Sequence, residues 1–419
     1  MIDLKLLRAS PAQVRAALAR RGDPSLTRLL DEIAALDMKR RTLTAQLDTL
    51  KAERNDAAKS DAQTAKAKGK LPDDIVAARR KLGERITGLE SELRQIETTL
   101  EAKTLFVPNL PLPDVPEEQT ILRSWGTPAP QGGKPHWEIA ERLGILDLPR
   151  GAKLAGSGFP VLMGAGARLA RGLINFMLDL HTREYGYIEV EPPFLVRRDV
   201  MTGTGQLPKF EADLYRTMPD DLFLVPTAEV PVTNLHREEI LDGTTLPKGY
   251  VAYTPCFRRE AGAAGKDTRG LLRVHQFDKV ELVRFCLAAD SPAEHEKLTG
   301  HAEAVLQKLE LPYRVAVLPA NDFGFAAAKT YDLETWAPGV GQWLEVSSSS
   351  TYTDYQARRA NIRCRPRPGE KPEFVHTLNA SGVALPRTIA ALLETHQQSD
   401  GSVTVPPALV PYVGTDRIA

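Results

Sequence analysis

Long apolar runs are missing from this chain. No stretch of about 18 apolar residues occurs in its 419 residues, so a membrane-spanning helix is not expected. The opening Met1-Ile2-Asp3-Leu4-Lys5 has no basic stretch leading into an apolar segment, which argues against a secretory signal and makes the cytosol the expected compartment. Cysteine is scarce. Cys256, Cys286 and Cys364 lie far apart without CxxC or Cys/His spacing, so neither a zinc site nor a disulfide framework is expected, and they read as buried thiols. Charge of one sign is not in excess either: 54 Lys and Arg face 54 Asp and Glu. A polyanion therefore feels no global pull, and any nucleic-acid contact must come from local basic clusters. No internal repeat is evident. Gly164-Ala165-Gly166 lacks the third glycine and the preceding buried strand of a dinucleotide-binding turn.

What is present is a chain long enough for two or three domains. Apolar residues at Leu29, Ile33, Leu36, Leu43, Leu47, Leu50 and Ala57 form a heptad seam with Arg40 and Arg54 in the intervening slots. A second seam runs Leu82, Ile86, Leu89, Leu93, Ile96 and Leu100. Gly69 and Pro72 interrupt any helix between them, so the two helices run antiparallel. At a rise of 1.5 Å per residue, helices of about 40 residues make a hairpin roughly 60 Å long. Its tip carries Lys51, Arg54, Lys59, Lys66, Lys68 and Lys70, with Arg79, Arg80 and Lys81 on the returning helix. Such a cluster can grip phosphates, although in an arbitrary coiled coil it is more often a solubilising face. The prolines of Val107-Pro108-Asn109-Leu110-Pro111-Leu112-Pro113 end the arm. They divide the chain into an N-terminal domain, 1–108, and a body, 109–419.

In the body, helical patterns at Arg168–Tyr185, Ala293–Leu309 and Pro386–Thr395 mix with strands at Tyr187–Val190, Leu222–Val225 and Arg314–Leu318. Strands near Tyr250–Arg259 and Gln276–Leu282 flank a loop and look antiparallel, so the body reads as α+β rather than doubly wound. These two strands and their loop spell Cys256-Phe257-Arg258-Arg259-Glu260-Ala261-Gly262, Lys266-Asp267-Thr268-Arg269-Gly270-Leu271 and Val274-His275-Gln276-Phe277-Asp278-Lys279-Val280-Glu281. Side chains two apart on a strand share a face, so Arg258 and Glu260 are expected to point together, as are Phe277, Lys279 and Glu281. A guanidinium can pair with phosphate oxygens, a ring can stack on adenine and a carboxylate can accept from its amino group. A salt-bridge ladder would use the same residue types.

This segment resembles motif 2 of class II aminoacyl-tRNA synthetases in the form typical of the bacterial seryl enzymes. Further blocks of that family follow in order: Gly203-Thr204-Gly205-Gln206-Leu207-Pro208-Lys209-Phe210, Pro226-Thr227-Ala228-Glu229-Val230, Glu345-Val346-Ser347-Ser348, Gln356-Ala357-Arg358-Arg359, and His376-Thr377-Leu378-Asn379-Ala380-Ser381-Gly382 through Arg387, which resembles motif 3. With the hairpin included, the resemblance covers nearly the whole chain. It implies a class II catalytic domain on an antiparallel sheet flanked by helices, behind a tRNA-binding coiled-coil arm.

Carried onto this sequence, the resemblance assigns Thr227, Ala228, Glu229, Glu281, Asn379 and Ser381 to serine, with Glu281 the reader of its hydroxyl. A buried acceptor left unpaired costs on the order of 1–3 kcal/mol, so such a reader rejects alanine. ATP falls to Arg258 at the α-phosphate, Glu260 and Phe277 at adenine, and Arg387 on the nucleotide's other side, with Arg259, Val274, Glu345, Val346, Ser347 and Ser348 completing the set. Glu345 and Ser348 would bind magnesium through hard oxygens; zinc is not expected. Arg258, Arg387 and Glu345 carry catalysis, and no His or Cys is nominated. The arm residues Lys51, Arg54, Lys59, Lys66, Lys68, Lys70, Arg79 and Arg80 would meet serine tRNA, or selenocysteine tRNA where present. A homodimer is implied, with about Asn175 to Pro193 at its interface. Arg259, Ala380 and Ser349-Ser350-Thr351 depart from the residues common in the family, and none is a proposed serine or metal ligand. A carrier-loading relative would lack the arm, and a non-catalytic descendant would have lost ATP or serine contacts.

Overall fold

Residues 1–68, 71–260 and 269–419 are described by the computed structural model, with side chains at all of them except 64, 65, 67 and 68. Two short helices, α1 (Leu4–Ala9) and α2 (Pro11–Ala19), precede the long α3 (Ser25–Lys68) and α4 (Asp73–Thr104). Leu47 and Leu50 of α3 pack on Ile86 of α4, flanked by Leu82, Leu89 and Leu93. Four ion pairs set the antiparallel register: Glu32–Lys103 at 2.7 Å, Lys39–Glu92 at 2.7 Å, Lys51–Glu90 at 2.9 Å and Asp61–Arg79 at 2.8 Å. Near its start the buried face of α3 is rotated by one residue from the expected seam. Leu26, Leu30 and Ile33 are buried where Leu29 and Leu36 are half-buried. The helices α1 and α2 bury Leu7, Val14 and Leu18 and add a second contact that the heptad count did not include. One seam position is Asp37, 3 % exposed, which is met by Arg8 at 2.9 Å, Arg40 at 3.0 Å and Arg41 at 3.4 Å. Asp73 and Asp74 in the first turn of α4 and Lys103 in its last complement the helix dipole.

The chain divides into the units Met1–Pro108 and Asn109–Ala419. The second is built on an eight-stranded sheet. Its strands are β1 (Thr120–Trp125), β2 (Ile188–Glu189), β3 (Lys248–Phe257), β4 (Gln276–Cys286), β5 (Tyr313–Val317), β6 (Lys329–Ala337), β7 (Gln342–Thr353) and β8 (His376–Ala384), in the spatial order β1-β5-β6-β7-β8-β4-β3-β2. Neighbours pair antiparallel except β2 with β3, which is parallel. The strand expected at Leu222–Val225 exists as Leu222–Leu224 but pairs with Leu195–Arg197 in a separate ribbon.

Five helices matter for the site: α5 (Ala165–Arg183), α6 (Glu229–Thr233), α7 (Ser291–Lys308), α8 (Tyr355–Ala360) and α9 (Leu385–Thr395). On one face of the sheet, Val280, Leu282, Leu378 and Ala380 join Leu173 and Met177 of α5, Ala302 and Val305 of α7, and Ile389 and Leu392 of α9 in the main core. Side chains alternate along a strand, so the odd-numbered residues of β4 and β8 face the other way. There Val283 and Phe285 run beneath Val232 of α6 and Ala357 and Ala360 of α8. The same face is left open further along, at Phe277, Lys279 and Glu281. The site lies where the open stretch meets the covered one. Cys256, Cys286 and Cys364 are free and buried. Among the described residues no helix is long and apolar enough to cross a membrane.

Candidate active site

The open stretch of sheet floors a cleft of about 980 Å³. At its deep end Glu229, the first residue of α6, faces Glu281 of β4; both are buried, at 6 % and 1 % exposure. Asn379 of β8 ties them together, its Nδ2 donating to Glu229 Oε2 at 3.0 Å and to Glu281 Oε1 at 2.7 Å. Its amide cannot flip freely, because the Tyr352 hydroxyl donates to Asn379 Oδ1 at 2.9 Å. Burial, then the two carboxylates, push the Tyr352 phenol well up, so it stays a donor. Gln356 of α8 donates to Glu229 Oε1 at 2.6 Å, while its own Oε1 accepts from Thr377 Oγ1 at 2.7 Å. Thr227 Oγ1 accepts from the Glu229 N–H at 3.2 Å. Glu281 also meets Lys279 Nζ at 2.5 Å and accepts from Ser381 Oγ at 3.4 Å. Burial, and then the charge of Glu281, push the Glu229 carboxyl up to about 7. The pocket is a set of acceptors held by neutral donors and one lysine, which suits an incoming cationic group with a polar neighbour.

Towards the mouth, the Arg258 guanidinium lies 5.1 Å from the centre of the Phe277 ring and donates from Nε to the Pro226 carbonyl at 3.3 Å. Among the described residues it has no carboxylate partner, so its remaining donors face the cleft. Glu260 pairs with Arg273 at 2.9 Å. Arg387, near the start of α9, donates from Nε to the Leu272 carbonyl at 3.0 Å and from Nη1 to Glu345 Oε2 at 3.2 Å. Ser348 Oγ lies 3.0 Å from Glu345 Oε1 and 2.6 Å from Asp332 Oδ1. Burial, and then the neighbouring Glu345, push the Asp332 carboxyl up to about 8.

Two register shifts shape this floor. In β7 the pairing with β6 jumps from Leu333–Ser347 to Glu334–Glu345, leaving Val346 as an extra residue. Glu345, Val346, Ser347 and Ser348 consequently all line the cleft, which strict alternation forbids. In β8 the shift between Ser381 and Val383 sits at Gly382, where a Cβ would come within 3.2 Å of Val280.

The cleft gathers Thr227, Glu229, Arg258, Glu260, Val274, Phe277, Glu281, Glu345, Val346, Ser347, Ser348, Asn379, Ser381 and Arg387. Two of the expected residues are not gathered. Arg259 is exposed and outside the lining, its N–H bonded to the Asp213 carbonyl at 3.0 Å. The Ala228 side chain is buried in the core with Val232, so only its backbone is available to a ligand. The reason expected for Arg258 and Glu260 to share a surface also fails. The strand β3 ends at Phe257, and Glu260 has a left-handed φ of 50°, so a turn rather than strand alternation brings both to the cleft. On the arm, Arg54 and Lys66 are exposed, whereas Lys51, Lys59, Arg79 and Arg80 pair with Glu90, Asp56, Asp61 and Glu84. Lys70, the Lys68 side chain and the motif residues Ala261, Gly262, Lys266, Asp267 and Thr268 lie outside the described residues.

Residues 1–111 match the seryl-tRNA synthetase N-terminal domain, and 209–396 match the class II tRNA synthetase core domain (G, H, P, S and T). The serine–tRNA ligase of Gemmatimonas aurantiaca is 54% identical over 426 residues, covering 100% of both chains. The chain belongs to the seryl-tRNA synthetase family. Another member, the serine–tRNA ligase of Pelobacter propionicus, is 53% identical over 99% of both chains. Among solved seryl-tRNA synthetases, that of Pyrococcus horikoshii complexed with ATP superposes with a TM-score of 0.94 at 39% identity, covering 100% of this chain and 99% of the other.

Sequence reasoning gave no role to Asp332, Lys279, Gln356, Tyr352 or Thr377. Asp332 reaches the site because it stands opposite Ser348 in the β6–β7 register, and that register is not written locally in either strand. Gln356 and Lys279 were within reach. Both lie inside seryl-tRNA synthetase sequence blocks, next to residues already assigned, and a buried carboxylate pair needs donors.

Proposed function

We propose that the cleft activates L-serine with ATP to seryl-adenylate, and that the chain then transfers the seryl group to the 3′-terminal adenosine of serine tRNA. The observation that carries this reading is the juxtaposition in one cleft of a buried carboxylate pair, Glu229 and Glu281 bridged by Asn379, with a guanidinium, Arg258, that has no acid of its own among the described residues. A zwitterionic amino acid fits that polarity, with its ammonium towards Glu229 and Thr227, its hydroxyl towards Glu281 and Ser381, and its carboxylate towards Arg258. Its carboxylate oxygen forms a bond to the α-phosphorus of ATP as the bond to the bridging oxygen breaks and pyrophosphate leaves. The carboxylate is already ionised at neutral pH, so alignment and charge compensation are the protein's work. The tRNA 3′-hydroxyl then attacks the seryl carbonyl, and AMP departs.

On the nucleotide side we assign adenine to Phe277, Glu260 and the Val274 backbone, and the phosphates to Arg258 and Arg387. The donors Glu345, Asp332 and Ser348 suit magnesium: all are hard oxygens, and burial with the charge of Glu345 pushes the Asp332 carboxyl up, a penalty a cation would offset. Bound there, magnesium would supply positive charge beside the phosphates. Among the described residues no group of three His, Cys, Asp or Glu side chains is placed to hold a metal ion. The exposed Arg54 and Lys66 support the arm as a tRNA contact. Exposed Ile188, at 53 %, on a two-residue edge strand supports a dimer contact around Asn175 to Pro193.

The test is pyrophosphate exchange into ATP with each amino acid. Serine alone should drive it, and Arg258→Ala should abolish it; near-normal exchange in that variant removes Arg258 from the chemistry.

A further inference from the structure

Lys279 has no part in the reaction just described, yet it is built into the amino-acid pocket. It is 6 % exposed, lines the cleft and holds Glu281 at 2.5 Å. The two pocket carboxylates are therefore treated differently. Glu281 has a cation, together with Asn379 at 2.7 Å and Ser381 at 3.4 Å. Glu229 has neutral donors, Gln356 at 2.6 Å and Asn379 at 3.0 Å, with the Tyr352 hydroxyl beside them. The count of charge decides what fits. Two carboxylates and one ammonium leave a single uncompensated acid, which matches one ligand ammonium and no more. A carboxylate offers about four lone-pair positions. Asn379, Lys279 and Ser381 take three of those on Glu281, leaving room for one further donor, and Lys279 has already matched its charge.

We propose that Lys279 is a specificity-determining residue: by pairing with Glu281 it makes the pocket take a neutral side-chain hydroxyl rather than a side-chain ammonium of the same size. The proposal rests on the serine reading above. The discriminating ligand is 2,3-diaminopropionate, which is serine with an amine in place of the hydroxyl. Without Lys279 the pocket would hold two uncompensated acids and would favour a doubly cationic amino acid. A buried acid stripped of its only cation is also a strong drive to recruit another.

The test measures kcat/KM for pyrophosphate exchange with serine and with 2,3-diaminopropionate, using the full chain at pH 8, where Glu229 is ionised. The proton the diamine must take up to become doubly charged costs the same in every variant, so changes in the ratio report the pocket. In Lys279→Met the serine preference should fall at least tenfold. Lys279→Arg should keep it near the wild-type value. The double variant Lys279→Met with Glu281→Gln removes one charge of each sign, so its preference should return to within about threefold of the wild type, although its serine activity drops. A merely structural lysine would lower both substrates alike and leave the ratio unmoved in Lys279→Met; that result overturns the proposal. Should Lys279→Met fail to fold, as read by circular dichroism, the double variant and Glu281→Gln alone decide. With Lys279 unpaired, Glu281→Gln should disfavour the diamine at least tenfold further, and an unchanged ratio there overturns the proposal. Wild-type protein without serine-dependent exchange would instead overturn the activity on which the proposal rests.

Discussion

Glu229 sits in an environment that an acid disfavours. Burial first, and Glu281 second, hold its carboxyl at about 7, against an ordinary value of 4.5. Between those values the folded chain carries a proton there that the unfolded chain does not. Stability from this group is thus fully present below 4.5 and is lost as pH rises through 7, by an amount on the order of 3 kcal/mol. Binding runs the opposite way, because an ammonium needs the ionised carboxylate. We expect KM for serine to rise several-fold as pH falls from 8 to 6. In Glu229→Gln the fall in melting temperature of the unliganded protein between pH 6 and 8.5 should shrink. A serine KM that is flat with pH would exclude Glu229 as the ammonium acceptor. This conflict between folding and binding is the usual signature of a site rather than a core. Its residues were legible in the sequence to unequal degrees. Arg258 and Glu281 stand in one contiguous block, whereas the partners of Glu229 are 127 and 150 positions away at Gln356 and Asn379, where only the fold brings them together.

Among the elements, β7 shows why strand reasoning went only part of the way. Alternation correctly put Phe277, Lys279 and Glu281 on one face of β4. The same rule cannot yield Glu345, Val346, Ser347 and Ser348 together, since the extra residue at Val346 depends on pairing with β6. The place of Asp332 opposite Ser348 follows from the same pairing. Replacing Asp332 with Asn should raise the magnesium concentration for half-maximal exchange about tenfold, leaving KM for serine within about twofold. An unchanged magnesium requirement would take Asp332 out of the ion's surroundings. In the arm, the heptad gave both helices and their direction. It missed the one-residue rotation near Leu30, because α1 and α2 are too short to announce what they would pack against.

The whole molecule is two units that divide at Pro108, each with its own buried residues. Deleting residues 30–103 should leave serine-dependent exchange within about threefold of the intact chain while lowering aminoacylation of serine tRNA at least a hundredfold. Unchanged charging would refute the arm's role. The proline-rich boundary falls at this division in the sequence, and the family blocks all lie in the second unit. Nothing local foretold how the arm would use its own charges.

That use has a thermodynamic consequence. Lys51 and Arg79 are engaged by acids of the facing helix, and Lys59 and Arg80 by acids on their own. A polyanion's affinity for a basic surface comes largely from small ions set free into solution, and a side chain already neutralised within the protein liberates none. The salt dependence of RNA binding should therefore come from the exposed Arg54 and Lys66 more than from Lys51 and Arg79.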